Sequence, residues 1–332
     1  MIAKPLVGVL MGGPSSEHEI SLMTGINILK TLQASGGWRP IPIIITKTGH
    51  WLSGKEHIWR NPGEALAGVD VVCNALHGAF GEDGKVQQIF EHYQIPYTGS
   101  GIFASAAAMN KTVARKLMRA AGVKMPKAIA LCHYDTETSF EALASCVLRA
   151  LPPPWVAKPV ANGSSVGVSI ARHFDDLPEA LQKAAQEDEE RRILVEEYIK
   201  GRELTCGVLE NFRGETHYAL PPVEICPPEI AEFFNYQVKY NGTTREICPA
   251  EFSDAMLKKI RATAVAAHTA LGCRDYSRVD MILRGTDLYV LEVNTLPGLT
   301  RESLFPKAAA AAGFSFANLL DHLLTNALER GK

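Results

Sequence analysis

Residues 277–300, SRVDMILRGTDLYVLEVNTLPGLT, decide the reading of this chain. Two apolar runs, 279–283 and 288–293, flank Arg284-Gly285-Thr286-Asp287, and a glycine-containing connection of that length marks a β-hairpin. Side chains alternate faces along a strand, so Arg278 and Asp280 share one face of the first strand and Glu292 and Asn294 one face of the second. A turn centred near Thr286 sets Asp280 opposite Glu292 and Arg278 opposite Asn294. Like charges directly opposite each other destabilise a sheet. A hard cation removes the conflict: carboxylates and an amide carbonyl suit Mg²⁺, which completes its shell with water and substrate phosphates. A solvated hairpin face with an Arg–Asp contact remains the alternative at this point.

The chain of 332 residues exceeds a single core, so two or three domains are expected. With 46% hydrophobic and 21% charged residues and a net charge of −2, it reads as an ordinary globular protein without a large basic surface for nucleic acid. No apolar run approaches the roughly 18 residues of a membrane span, and MIAKPLVGVLMGG passes directly into a strand and glycine turn, unlike a signal peptide. The seven cysteines are odd in number, scattered and never spaced CxxC, so neither a disulfide framework nor a zinc site is indicated, and a cytoplasmic location fits.

Along the chain, strands at 5–10, 39–47 and 69–76 alternate with helices at 20–32 and 81–92, which implies a parallel sheet with ligand loops at the C-terminal strand ends. Those loops hold Glu17, His18 and Glu19, then His77, Glu82 and Asp83. GSGIFA at 99–104 fits a dinucleotide fingerprint, but no acidic residue ends a second strand about 20 residues later, so a loop between domains is the better reading. No GxxxxGK[ST] occurs, and any ATP site must work without a Walker loop. Helical periodicity spans 102–121 with Lys111 in its middle. Strands 155–158 and 166–171 bracket Gly163-Ser164-Ser165, a turn able to fold backbone N–H groups over phosphates beside Lys158, or else a plain small-residue hairpin. Strands at 192–198 and 203–209 follow. From 226 to 248 periodicity disappears among prolines and aromatics, as in a functional loop. A helix at 254–271 leads into the hairpin, and two amphipathic stretches close the chain.

In chain order, GGPSSEHEIS, LHGAFGEDG, YTGSG, NKTVARKLM, KPVANGSSVGVS, EEYIKGRELT, VKY, SRVDMIL and LEVNTLPGLT together resemble the successive motifs of D-alanine–D-alanine ligases, members of the ATP-grasp superfamily, from about residue 7 to about residue 325. The resemblance implies an α/β ATP-grasp fold of three domains: a parallel-sheet N-terminal domain at 1–99, a central domain at 100–197, and a C-terminal domain at 198–332 carrying a lid at 226–248. ATP is then held between two antiparallel sheets. It implies formation of D-alanyl-D-alanine for peptidoglycan through a D-alanyl phosphate, in a homodimer, with two Mg²⁺ ions and Mn²⁺ as a substitute.

By the same resemblance, Lys111 and Lys158 contact the phosphates, and Gly163, Ser164 and Ser165 cover them. Glu196, Glu197 and Ile199 line the adenine pocket, and Glu203 meets the ribose. Asp280, Glu292 and Asn294 hold the metal. Arg278 and the Gly298 N–H stabilise the oxyanion. Glu17 binds the first D-alanine with His77 nearby, while Lys239, Ser303 and Leu304 receive the second. Tyr240 closes the lid towards Ser164 and Glu17. Each position also has an ordinary reading: Glu17 as an acid at a helix N-terminus, His77 as a satisfied strand-end histidine, Lys239 and Tyr240 as loop residues. Three amides, Asn110, Asn235 and Gln237, stand where the family carries acids. The alternatives are a related ligase using D-lactate or D-serine as second substrate, and a nucleotide-binding protein without turnover.

Overall fold

The computed structural model describes residues 4–53, 58–132, 138–163, 165–226, 244–300 and 302–331. Among these, the strands form three sheets. In the first, β1 (Leu6–Gly12) lies between β2 (Arg39–Ile45) and β5 (Val71–Asn74), and all three are parallel. α1 (His18–Ser35) makes the crossover from β1 to β2, while α2 (Pro62–Leu66) and α3 (Lys85–His92) flank β5 in the chain. The parallel core is what the strand–helix alternation predicts. The sheet also carries an antiparallel edge, β3 (Trp51–Ser53) and β4 (Ile58–Arg60), whose three-residue strands are too short to leave a readable period.

The second sheet is antiparallel, in the order β6 (Ala128–Cys132), β9 (Arg192–Glu197), β7 (Trp155–Pro159), β8 (Ser169–Ala171). Alternation gives it two unlike faces. Trp155, Ala157, Ile193 and Val195 are buried against α6 (Phe140–Ala150) and α7 (Leu177–Gln186); Val156 and Lys158 face the other way.

The third sheet runs β13 (Arg245–Ile247), β12 (Val223–Cys226), β10 (Arg202–Phe212), β14 (Tyr276–Arg284), β15 (Asp287–Asn294), with β11 (Glu215–Ala219) paired to β10. Leu204, Cys206, Val279, Met281, Val290 and Val293 form its covered face, buried with Ile260 and Ala264 of α8 (Asp254–Ala270). The other face, with Glu203, Asp280 and Ile282, opens onto a cleft shared with the second sheet.

The helix expected over 102–121 is broken into α4 (Ile102–Met109) and α5 (Lys111–Ala120). Asn110 between them is extended (φ −85°, ψ 98°), and its side-chain oxygen accepts from the N–H groups of Thr112 and Val113. Apolar spacing continues across the break, but an asparagine N-cap satisfies donors that a continuous helix would not leave open. Lys111 is consequently the first residue of a helix, not its middle.

The hydrophobic cores do not follow chain order. Val7, Met11 and Ile28 of the first sheet and α1 share one core with Phe305 of α9 (Leu304–Ala311) and with Leu320 and Leu324 of α10 (Phe316–Arg330). Asp275 adds a polar clamp: its carboxylate accepts from Arg330 Nη1 (2.5 Å) and Nη2 (3.0 Å) and from the Gly99 N–H (2.7 Å). The GSG turn at 99–101 is thus docked on the C-terminal part of the chain. This packing brings the loops after β1 and β5 to the segment after β15.

Candidate active site

The hairpin register places Asp280 opposite Glu292 and Arg278 opposite Asn294, as the alternation predicts, but by a different route. The turn is tighter than expected, with Arg284 paired to Asp287 around Gly285-Thr286, a register that alone would set Asp280 opposite Leu291. An irregularity between Asp280 and Met281 takes up one extra residue, since Met281 pairs with Val290. A one-residue bulge at Leu291 therefore turns Glu292 and Asn294 onto the cleft face. Bulges that re-aim side chains are typical beside functional sites.

Among the described residues, four hydrogen bonds converge on Asp280. Arg278 grips it with Nε and Nη2, each at 2.8 Å, Thr205 Oγ1 donates at 2.8 Å, and Asn294 Nδ2 donates at 3.0 Å. Burial works against the Arg278 charge, yet Asp280 outweighs it and raises the guanidinium pKa further. Glu292 is different: about one-third exposed, with Lys111 Nζ no nearer than 3.9 Å. Two opposed carboxylates and an amide are the donor types a hard divalent cation takes, so the residues fit Mg²⁺. Asp280 already uses the roughly four lone-pair sites of a carboxylate, and at least one of these contacts must be given up before it ligates an ion.

Lys111 and Lys158 meet the cleft from opposite supports. Lys158 Nζ lies 2.6 Å from Glu196 Oε2, both side chains buried, and Arg115 Nη1 bonds the other Glu196 oxygen. Lys111 Nζ donates to the Asn162 carbonyl at 2.5 Å. Its pKa is lowered by burial first, with Lys158 adding to the effect. Gly163, Ser165, Glu196, Glu197, Ile199 and Glu203 border the same cleft, of ≈ 1060 Å³ including its open mouth. Glu197 accepts from the Lys127 N–H at 2.7 Å. Ile199 is buried.

A second cleft adjoins the first through Lys111, Gly163, Arg278, Glu292 and Leu304, and it contains Glu17, His77, Asn294, Gly298 and Ser303. Glu17 is the N-cap residue of α1 without a side-chain cap bond. A side chain on Gly78 (φ +68°) would put its Cβ 2.6 Å from Glu17 Oε2, so glycine there serves both the left-handed backbone and the seat of that carboxylate. A Cβ on Gly163 would lie 3.5 Å from the same oxygen, which sets the glycine turn against Glu17. His77 is buried, with Nε2 3.0 Å from Thr24 Oγ1; burial first holds its pKa below the usual value, against the pull of Glu17. Ser303 is the N-cap residue of α9 without a side-chain cap bond; its Oγ accepts from the Thr300 N–H and lies so close to Gly298 that a Cβ there would sit 2.7 Å away.

Ser164, Lys239 and Tyr240, together with residues 227–243 of the expected lid, lie outside the described residues. Of the other loop acids and histidines, His18 bonds the Gly13 carbonyl, Glu19 pairs with Lys47 on the surface, and Asp83 caps the Phe80 and Lys85 N–H groups, so none of these borders the clefts. Glu82 does. Its carboxylate accepts from the Gly78 N–H at 2.9 Å, and its pKa is pushed up to about 8 by burial and then by Glu17. The sequence singles out Glu82 among the loop residues but not Thr205, which bonds Asp280, or Arg115, which bonds Glu196. Both were findable: Thr205 shares the strand face of Glu203, and Arg115 lies one helical turn beyond Lys111.

Models of the D-ala D-ala ligase N-terminus match residues 6–65 and 56–100, and a model of the D-ala D-ala ligase C-terminus matches residues 117–325. The chain is 41% identical over 327 residues to the D-alanine–D-alanine ligase of Syntrophobacter fumaroxidans, covering 98% of each chain. Among solved structures it is similar to the D-alanine–D-alanine ligase of Bacillus anthracis complexed with ATP, with a TM-score of 0.79, 32% identity and 98% coverage of both chains. It is also similar to the VanG D-Ala:D-Ser ligase of Enterococcus faecalis, with a TM-score of 0.84, 30% identity, and 98% of this chain and 100% of that one covered.

Proposed function

The chain belongs to the D-alanine–D-alanine ligase family, and we propose that it joins two D-alanines into D-alanyl-D-alanine with ATP, supplying the dipeptide for peptidoglycan. The observation that carries this reading is the junction of the two clefts, where Arg278, Asp280, Glu292 and Asn294 face Lys111 and Lys158, with Glu17 and Ser303 in the adjoining cleft. A carboxylate oxygen of the first D-alanine attacks the γ-phosphorus, the bond to the β-phosphate oxygen breaks, and ADP leaves. The neutral amine of the second attacks the acyl carbon, phosphate departs with the C–O electron pair, and the amine proton is lost.

Each residue in this scheme has a physical task. Lys111 and Lys158 neutralise the phosphate oxygens, and phosphoryl transfer consists mostly of such positioning and charge stabilisation. Asp280, Glu292 and Asn294 hold Mg²⁺, which when bound offsets charge on the transferring phosphoryl group. Gly163 with Ser164 and Ser165 covers the phosphates. Glu196, Glu197 and Ile199 border the base, and Glu203 the ribose. Glu17 receives the first ammonium beside His77. Arg278 and the Gly298 N–H meet the oxyanion of the second step, where preorganised donors count most. Lys239 and Ser303 take the second carboxylate beside Leu304, and Tyr240 closes the site from the lid. The reading includes a cytoplasmic homodimer with its domains divided near residues 99 and 197.

The experiment is phosphate release by the purified chain with ATP, Mg²⁺ and D-alanine, with products separated by chromatography. D-Alanine-dependent phosphate and D-alanyl-D-alanine in equal amounts are expected. ATP binding without phosphate release would overturn the reading in favour of a nucleotide-binding protein without turnover, and faster mixed product with D-serine or D-lactate would move the second substrate.

A further inference from the structure

The covered face of the third sheet carries a polar cluster away from both clefts. Glu210 on β10 is paired directly across the ladder with His217 on β11, and His268, in the last turn of α8, is fully buried beside them. Glu210 Oε1 lies 3.5 Å from His217 Nε2 and 3.5 Å from His268 Nε2. The three ligating atoms all lie within 4.8 Å of one another. Both nitrogen–oxygen distances exceed the 2.7–3.2 Å range of a formed hydrogen bond. They match the edge of a tetrahedron whose bonds are about 2.0–2.1 Å long, an edge of about 3.4 Å.

The surroundings fix the orientation that an ion requires. His268 Nδ1 is 2.8 Å from Ser277 Oγ, which keeps Nε2 turned to Glu210. The second Glu210 oxygen accepts the Asp275 N–H at 2.8 Å, leaving Oε1 to the histidines. Outer contacts of this kind set ligand tautomer and aim. Burial pushes the Glu210 pKa up, but the facing His268, the Asp275 N–H and His217 together bring it below its ordinary value. His217 and Glu210 are partly exposed, 27% and 18%, which supplies an entry path and room for a water ligand.

We propose that Glu210, His217 and His268 form a Zn²⁺ site that ties the β10–β11 hairpin to the end of α8. Two imidazoles and one carboxylate with an open fourth position suit Zn²⁺, whereas Mg²⁺ prefers an all-oxygen shell. The site is independent of the ligase reading, because the cluster lies on the opposite face of the sheet from the ATP cleft. A cation that binds the folded chain alone stabilises it by mass action.

The test uses the full chain stripped with a chelator and returned to millimolar Mg²⁺. Zn²⁺ is titrated in competition with a chromophoric chelator, and thermal unfolding is followed in parallel. Wild type should hold about one Zn²⁺ per chain more than His217→Gln, and its Tm should rise with Zn²⁺ while that of the variant stays flat. His217→Cys, which restores a zinc ligand, should recover the Tm response. X-ray absorption at the zinc edge reads wild type without any substitution and should show two imidazole nitrogens with oxygen. Equal Zn²⁺ binding and Tm response in wild type and His217→Gln, or an edge spectrum without imidazole, would overturn the proposal.

Discussion

Two buried lysines face the cleft between the second and third sheets, and their carboxylate partners could hardly differ more. Lys158 and Glu196 are 2.6 Å apart, both nearly inaccessible, and Arg115 completes the triad from the other side. Lys111 and Glu292 are 3.9 Å apart, and Glu292 is one-third exposed. In the first pair the carboxylate is fully committed to protein cations, so its work is to hold Lys158 in place. In the second, the carboxylate retains capacity for a ligand. Coulombic partnership alone does not tell a scaffold from a reagent; the degree to which the partner is already satisfied does.

Glu196→Gln should therefore show the largest effect, on stability. It leaves two buried cations without their anion, and breaking such a pair costs about 3–5 kcal/mol. Urea unfolding reads this directly, and a loss below about 1 kcal/mol would mean that Lys158 and Arg115 find water or other partners. Glu292→Gln should do the reverse. Its stability should stay within about 0.5 kcal/mol of wild type, while the Mg²⁺ concentration for half-maximal phosphate release rises on the order of tenfold or more. Ordinary Mg²⁺ dependence in that variant would remove Glu292 from the metal set and erase the contrast.

Only part of that contrast was legible in the amino-acid order. The alternation of Arg278 and Asp280 against Val279 and Met281, and of Glu292 and Asn294 against Val293, displays strands with one polar and one apolar face, and the glycine connection marks the hairpin that joins them. The bulge at Leu291 leaves no compositional mark, so the pairing was reached through a turn one residue too wide. The Lys158–Glu196 contact depends on β7 lying beside β9, which local periodicity does not encode. The break at Asn110 was hidden because apolar spacing runs straight across it, although Asn-Lys-Thr is sound N-cap chemistry. The motifs made the cleft recognisable; tertiary pairing decided which acids serve it.

Glu82 extends the comparison to a third acid, held neutral instead of paired. Its folded pKa of about 8 lies above the ordinary 4.5, so the folded chain keeps a proton that the unfolded chain releases, and stability falls as pH rises from about 4.5 towards about 8. Glutamine cannot ionise. Glu82→Gln should gain on wild type between pH 5.5 and pH 8 by about 2–3 kcal/mol, measured as the difference in denaturant midpoints at constant slope. Parallel pH profiles for the two proteins would show that Glu82 is ionised throughout.

The smallest predicted effect concerns how Lys111 is held. A cation in the first turn of a helix meets the positive end of the backbone dipole, which disfavours it, and burial beside Lys158 lowers its pKa further. Placing a lysine there is uphill for folding and sensible only for an anion that arrives later. Asn110 makes the arrangement possible by capping Thr112 and Val113 and starting the helix at Lys111 itself. Aspartate can make the same cap, so the family's acid and this chain's amide are equivalent for helix initiation and differ only in charge. Asn110→Asp should keep the fold, add a few tenths of a kcal/mol, and raise the Lys111 pKa, with KM for ATP moving by no more than about twofold. Asn110→Ala removes the cap, and should cost about 1 kcal/mol and weaken ATP binding more than it lowers turnover. If alanine and aspartate instead behave alike in stability and in KM, the cap does not position Lys111, and the Asn162 carbonyl alone must do so.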